Sequence, residues 1–231
     1  MSIVADCPSN IWAVVPAKRL SQAKQRLAPF LSRNERVKLA RTMFHEVLTT
    51  LSASSLAGVV VVTSDPMVAN LASLFDARIV HDDMETGVNA AVQQGLQILN
   101  SAAGALVVPA DVPFVTSADL QAIVGELQCH PVVLAPALSD GGTNALAMRR
   151  PDMMVPSFGE DSYLRHQMQS RAKGFSCGIV NSHGIGRDID RPQDLVAPCA
   201  RRYSLTAALL AEMNVPARLG VEALPLCARH M

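Results

Sequence analysis

What most constrains the fold of this chain is a repeated alternation. Short, continuously apolar runs are separated by segments with helical periodicity. The runs are "IWAVV" (11–15), "GVVVVT" (58–63), "ARIV" (77–80), "GALVVPAD" (104–111) and "PVVLAPA" (131–137). A strand that is apolar on both sides is covered on both faces, as in a parallel sheet held between two helix layers. Between the runs, "SRNERVKLARTMFHEVLTTLSA" opens with Ser32 and Glu35 at the spacing of a capping box. Its apolar residues Val37, Leu39, Met43, Phe44, Val47, Leu48 and Leu51 share one helical face. "PMVANLASLF", "GVNAAVQQGLQILN" (87–100) and "SADLQAIVGELQ" (117–128) read as further helices. The expected fold is a three-layer, Rossmann-like α/β arrangement with a mostly parallel sheet.

Beyond Ala137 the pattern loosens into turns, a short strand and one amphipathic helix within "VPSFGEDSYLRHQMQSRAKG". With 231 residues, 49% of them hydrophobic, the chain suits one domain over 1–231. Its core is expected over about 11–195, with a helical tail over 196–231 that contains "SLTAALLAEMN".

Twenty basic and twenty acidic residues cancel. A neutral chain has no overall field for gathering nucleic acid, and 4% aromatic residues leave few stacking platforms. No run approaches the roughly 20 apolar residues that span a bilayer, and "MSIVADCPSN" lacks the basic start and apolar stretch of a signal peptide. The five scattered cysteines show no CxxC spacing and read as reduced thiols. A cytoplasmic protein is expected, with no membrane and no nucleic-acid partner.

Local charge is therefore the informative feature. Ligands of open α/β sheets bind beyond the carboxyl ends of the strands, and three stretches fall there. "VPAKRLSQAKQRL" follows the first strand and carries Lys18, Arg19, Lys24 and Arg26. Asp111 ends "ALVVPAD", and Asp188 and Asp190 stand two apart in "RDIDRPQDL". On an extended chain, two such residues face the same side. Three converging carboxylates suit Mg2+ carrying a substrate phosphate, and clustered Lys and Arg suit the phosphates themselves. The same residues also suit strand-end caps, turn hydrogen bonds and a solvated basic loop, and spacing leaves both readings open. Neither GxxxxGK[ST] nor GxGxxG is present, which excludes a P-loop and argues against a dinucleotide-binding dehydrogenase. "DGGTNAL" offers Thr143 and Asn144, and "FGEDSYLRH" places Gly159 and Ser162 at a helix start. Asn89 stands at another helix start, suited to capping or to a base contact. The histidines, His166 among them, show no metal-ligand spacing, and no nucleophile elbow is seen.

"VPAKRLSQAKQRLAP", "GVNAAV", "VVPADVPF", "GGTNAL", "FGEDSYLRH" and "RDIDRPQDL" occur in the order seen in the CofC/FbiD guanylyltransferases, and the chain resembles that family from about Ile11 to Leu195. The resemblance implies a nucleotide-diphospho-sugar transferase fold. It implies transfer of GMP from GTP to phosphoenolpyruvate, 2-phospho-L-lactate or 3-phosphoglycerate, on the way to coenzyme F-420. Carried over by position, it implies Mg2+ on Asp111, Asp188 and Asp190. It puts Lys18 at the phosphates, with Arg19, Lys24 and Arg26 nearby, and makes Lys18 and Asp111 the catalytic pair. Thr143, Gly159 and Ser162 would hold the phospho-acid, Asn89 would lie near the nucleotide, and relatives suggest a homodimer. Arg191 stands where relatives often carry Thr. Two rival readings are another nucleotidyltransferase of this fold, of molybdenum-cofactor or sugar type, and a non-catalytic GTP-binding module.

Overall fold

The computed structural model describes residues 10–83, 85–99, 104–196 and 204–219. Seven strands form one sheet: β1 (Ile11–Pro16), β2 (Gly58–Thr63), β3 (Arg78–His81), β4 (Gly104–Val107), β5 (Val132–Pro136), β6 (Thr143–Met148) and β7 (Cys177–Ile179). Their order is β3-β2-β1-β4-β6-β5-β7. β3, β2, β1 and β4 run parallel, as the apolar runs predict, with Val14 opposite both Val60 and Val107. β6 runs antiparallel between β4 and β5. A reversed strand places its first residues at the carboxyl ends of its neighbours, so Thr143 lies beside Pro136 at the end of β5.

The helices are α1 (Arg33–Ser52), α2 (Pro66–Ser73), α3 (Val88–Gln97), α4 (Ser117–Cys129), α5 (Ser162–Ala172), α6 (Leu205–Glu212) and α7 (Val215–Arg218). Ser32 and Glu35 form the expected capping box at the start of α1, and Thr116 with Asp119 forms a second at α4. α1 buries Leu39, Met43, Phe44, Val47, Leu48 and Leu51 in a core shared with α2, α4 and α6. Each such side chain contributes about 1.5–3 kcal/mol. The other sheet face carries α3 and the segment through Met153, Met154 and Phe158. Gly95 lets α3 lie close to the sheet, because a Cβ there would fall 2.5 Å from Val14 Cγ1. The tail helix α6 docks on α1: the buried Glu46 carboxylate accepts from Ser204 Oγ and from the amides of Leu205 and Thr206.

Two differences from the sequence reading lie at the carboxyl edge of the sheet. β4 stops at Val107 rather than Asp111; Val108 still donates to Val14 O, but Pro109 has no N–H to continue the ladder. Within the polar, glycine-rich stretch 140–146, residues 140–142 form the turn into β6, and the strand begins at Thr143. No helix among the described residues is long and apolar enough to cross a membrane.

Candidate active site

β1 and β4 are neighbours, but the chain leaves β1 toward β2 on one side and reaches β4 on the other. At such a switch point the loops after the two strands diverge and leave a crevice. A cleft of about 610 Å3 occupies it, lined by the 16–26 loop, Ser64, Asp82, the start of α3, Pro109–Asp111 and Asp190.

The basic loop is folded, not splayed into solvent. It makes two short 3-10 turns, Leu20–Gln22 and Gln25–Leu27, with Leu20 and Leu27 buried. Asp65 caps α2 through one carboxylate oxygen and accepts from the Leu20 amide through the other, at 2.8 Å. Between the turns, Lys24 adopts a left-handed backbone (φ 54°, ψ 42°), a conformation that costs a non-glycine residue about 1–2 kcal/mol. It turns the Lys24 side chain inward, where only 7% of it is exposed.

Lys24 Nζ lies 2.6 Å from Asp111 Oδ2 and 3.6 Å from Asp190 Oδ1. Arg26 Nη1 reaches the other oxygen of Asp190 at 2.5 Å. Burial by itself would push the Lys24 ammonium down; the charges of Asp111, Asp190 and Asp188 outweigh it and hold its pKa above the ordinary value. The 187–190 segment reaches this point because the Ile189 amide donates to Asp111 O at 3.0 Å while the Ile189 side chain is buried in the core. Asp188 and Asp190 thus flank an anchored residue. The turn after them is held by Asp194 Oδ2, which accepts from the amides of Asp190 and Arg191. Residue 191 enters that turn through its backbone N–H, so the bond does not depend on whether its side chain is Arg or Thr.

Burial, and next the charge of Asp111, push the Asp188 carboxyl up to about 6, against the hydrogen bond from Asn144 Nδ2 at 3.3 Å. Asn144 reaches it through a bulge: Ala135 pairs with Ala145 and Pro136 with Thr143, leaving Asn144 as the extra residue of β6. Three carboxylates, one of them half-buried and held by an amide rather than a cation, fit a hard divalent cation in donor chemistry. As the chain stands, the Lys24 ammonium lies between two of them, and among the described residues no three acidic, His or Cys groups close on a single point.

A second cluster lies at the start of β6. Ser162 Oγ donates to Thr143 Oγ1 at 3.1 Å, and His166 Nδ1 is 3.0 Å from the same oxygen. Gly159 turns the chain into α5 with φ +121°, a conformation that only glycine adopts readily. Asp161 stands at the helix N-cap without a side-chain capping bond.

The other expected site residues are placed differently. Lys18 is exposed on the cleft wall. Arg19 pairs with Glu85 at 2.6 Å, both exposed. Asn89 does not cap α3, whose N-cap is Gly87. Its amide binds the Phe158 backbone twice, donating to the carbonyl at 3.2 Å and accepting from the N–H at 2.6 Å, and so ties α3 to the Gly159 turn. Sequence reasoning missed Asp65, although Asp-Pro is a helix-start signature. It also missed the contacts of Asn144 and His166, for which the sequence carries no local signal. Burial pushes the Cys177 thiol up to about 11, so it offers no thiolate at neutral pH.

Residues 11–198 match the family described as "Guanylyl transferase CofC like". The chain belongs to the CofC-like guanylyl transferase family. Among relatives of this CofC-like chain, phosphoenolpyruvate guanylyltransferase of Sphaerobacter thermophilus is 37% identical over 191 residues, 79% of this chain and 89% of the relative. The 3-phospho-D-glycerate guanylyltransferase of Phenylobacterium zucineum is 36% identical over 202 residues, 83% and 91% of the two chains. A crystal structure from Desulfovibrio desulfuricans G20, described as that of a nucleotide-diphospho-sugar transferase, superposes with a TM-score of 0.72 at 15% identity, covering 90% of this chain and 97% of the other. The CofC-like chain has the nucleotide-diphospho-sugar transferase fold that its motifs imply.

Proposed function

We propose that this CofC-like protein transfers GMP from GTP to the phosphate of a small three-carbon phospho-acid and releases pyrophosphate, a step toward coenzyme F-420. The observation that carries the reading is the meeting of Lys24 and Arg26 with Asp111 and Asp190 in the crevice between β1 and β4. Cationic groups of the kind that suit phosphates and acidic groups that suit a metal ion are there within one side chain's length of each other. The family, and relatives named for phosphoenolpyruvate and 3-phospho-D-glycerate, supply the substrate class; 2-phospho-L-lactate is the third acceptor that the sequence motifs imply.

The chemistry is an in-line displacement. A phosphate oxygen of the acceptor forms a bond to the α-phosphorus of GTP as the bond from that phosphorus to the bridging oxygen of pyrophosphate breaks. A phosphate dianion is already nucleophilic, so this chain needs no base, and the task is positioning and charge neutralisation. Lys24 and Arg26, with Lys18 on the cleft wall, would hold the triphosphate and the leaving pyrophosphate. Thr143, Ser162 and the Gly159 turn would hold the phospho-acid. Asp111, Asp188 and Asp190 would hold Mg2+, which when bound supplies charge neutralisation at the phosphates. Use of GTP agrees with a cytoplasmic location.

The test is pyrophosphate release from GTP, CTP, UTP and ATP with each of the three acids. Turnover with GTP and at least one acid is expected. A folded protein that binds GTP but turns over none of the three overturns the reading in favour of a non-catalytic module.

A further inference from the structure

His166 is fully buried and is given no part in the reaction above. Its ring lies between two contacts. Nε2 receives the backbone N–H of Ser157 at 3.1 Å, and Nδ1 lies 3.0 Å from Thr143 Oγ1. An amide N–H only donates, so Nε2 is the unprotonated nitrogen. Burial, and next the guanidinium of Arg165, lower the His166 pKa to about 4, so the ring is neutral near pH 7. A neutral imidazole has one N–H, which must then be on Nδ1 and must donate to Thr143.

This decides how the neighbouring hydroxyls are used. Thr143 and Ser162 have two O–H protons between them, and one of these links the two oxygens. With the other tautomer, the second proton would be taken up by the ring. Because His166 is itself a donor, that proton has no acceptor among the described residues. The residue after Thr143 is Asn144, whose amide donates to Asp188, so along β6 the Thr143–Ser162 pair is one residue from a contact with the aspartate cluster.

We propose that His166 is a positioning residue for the phospho-acid: as the Nδ1–H tautomer it fills a lone pair of Thr143 and leaves one hydroxyl proton of the Thr143–Ser162 pair aimed at an anionic oxygen of the acid. The ligand half of this inference rests on the guanylyl-transfer reading; the tautomer does not.

Nitrogen NMR of the wild-type protein at pH 7 reads the tautomer directly. Nδ1–H is expected; Nε2–H or an imidazolium overturns the proposal. Two substitutions separate the ring's contacts. His166→Gln can still accept at the Nε2 position but loses the donor to Thr143. His166→Asn keeps a donor near the Nδ1 position but loses the acceptor. In H166Q the KM for the acid should rise about 10-fold, the effect of one charge-assisted hydrogen bond, with the KM for GTP within about twofold. H166N should stay within about threefold of wild type for both. In a Thr143→Val background, H166Q should have no further effect on the acid KM. Equal rises in both KM values, or additive effects of H166Q and Thr143→Val, overturn the proposal. If neither His166 variant folds, the wild-type tautomer and a comparison of Thr143→Ser with Thr143→Val still decide it: the acid KM must stay low in the first and rise in the second. Absence of turnover by the wild type with every acid would sink the guanylyl-transfer reading and leave the tautomer result standing.

Discussion

Lys24 Nζ and Asp111 Oδ2 lie 2.6 Å apart although 87 residues separate them in the chain. The contact joins the loop after β1 to the loop after β4, the two that diverge at the switch point of the sheet. It sets an ammonium where a metal ion and a substrate phosphate would also compete for position. Several expectations derive from that competition and from the groups around it.

Asp111 is the carboxylate that the buried Lys24 ammonium of the basic loop binds most closely, at 2.6 Å against 3.6 Å for Asp190. Asp111→Asn keeps its size and loses its charge. Pyrophosphate release should fall at least about 100-fold, the scale at which a single group stabilising charge in a transition state acts, while the far-ultraviolet circular dichroism is unchanged. Activity within about twofold of wild type would exclude an essential role for this carboxylate.

In the absence of nucleotide, Lys24 and a divalent cation contend for Asp111 and Asp190. Lys24→Met removes one contender. The variant should be less stable without metal, by less than the roughly 3–5 kcal/mol of a fully buried pair, since both carboxylates reach solvent. Millimolar Mg2+ should raise its Tm more than that of the wild type, through binding to the vacated carboxylates. An equal rise in the two proteins would contradict the shared position, and thermal melts with and without Mg2+ measure it.

The pKa of His166 falls from 6.5 to about 4 on folding. The unfolded chain therefore binds the proton more readily than the folded one between these values. The stabilisation is complete above about pH 6.5, declines as pH falls toward 4, and reaches a loss of roughly 3 kcal/mol at most. In His166→Asn that part of the pH dependence should be absent. Urea denaturation of both proteins at pH 5 and pH 7 checks it, and the same slope in both would assign the effect to other groups.

Glu46 holds the start of α6 through Ser204 Oγ and two backbone amides. Glu46→Leu keeps the bulk and removes the acceptor. Donors left unmatched cost about 1–3 kcal/mol each, so the variant should lose stability and expose 204–219 to proteases before the sheet. Unchanged proteolysis of that segment would show that apolar contacts alone hold α6.

The features legible in the sequence were those made by neighbours in the chain. Continuous apolar runs defined β1 and β2 because both sheet faces are covered. Ser32 and Glu35 announced α1 because the capping box closes within one turn. Asp188 and Asp190 were readable as a pair because alternation along an extended segment is local, and the ordered motifs carried the family.

Other features depended on residues distant in sequence, and only the tertiary structure decided them. The antiparallel placement of β6 brings Thr143 to the carboxyl edge of β5, and no periodicity records which neighbour a strand will choose. Of the four basic residues after β1, Lys24 turns inward and Arg19 outward to Glu85, a difference made by one left-handed residue and the carboxylates waiting across the crevice. The protonated nitrogen of His166 is chosen by an amide nine residues away in sequence and by a hydroxyl on β6. Local pattern set the elements because backbone hydrogen bonding and side-chain periodicity are short-range. Burial, charge pairing and tautomer are properties of the space the folded chain encloses, and they exist only once it is closed.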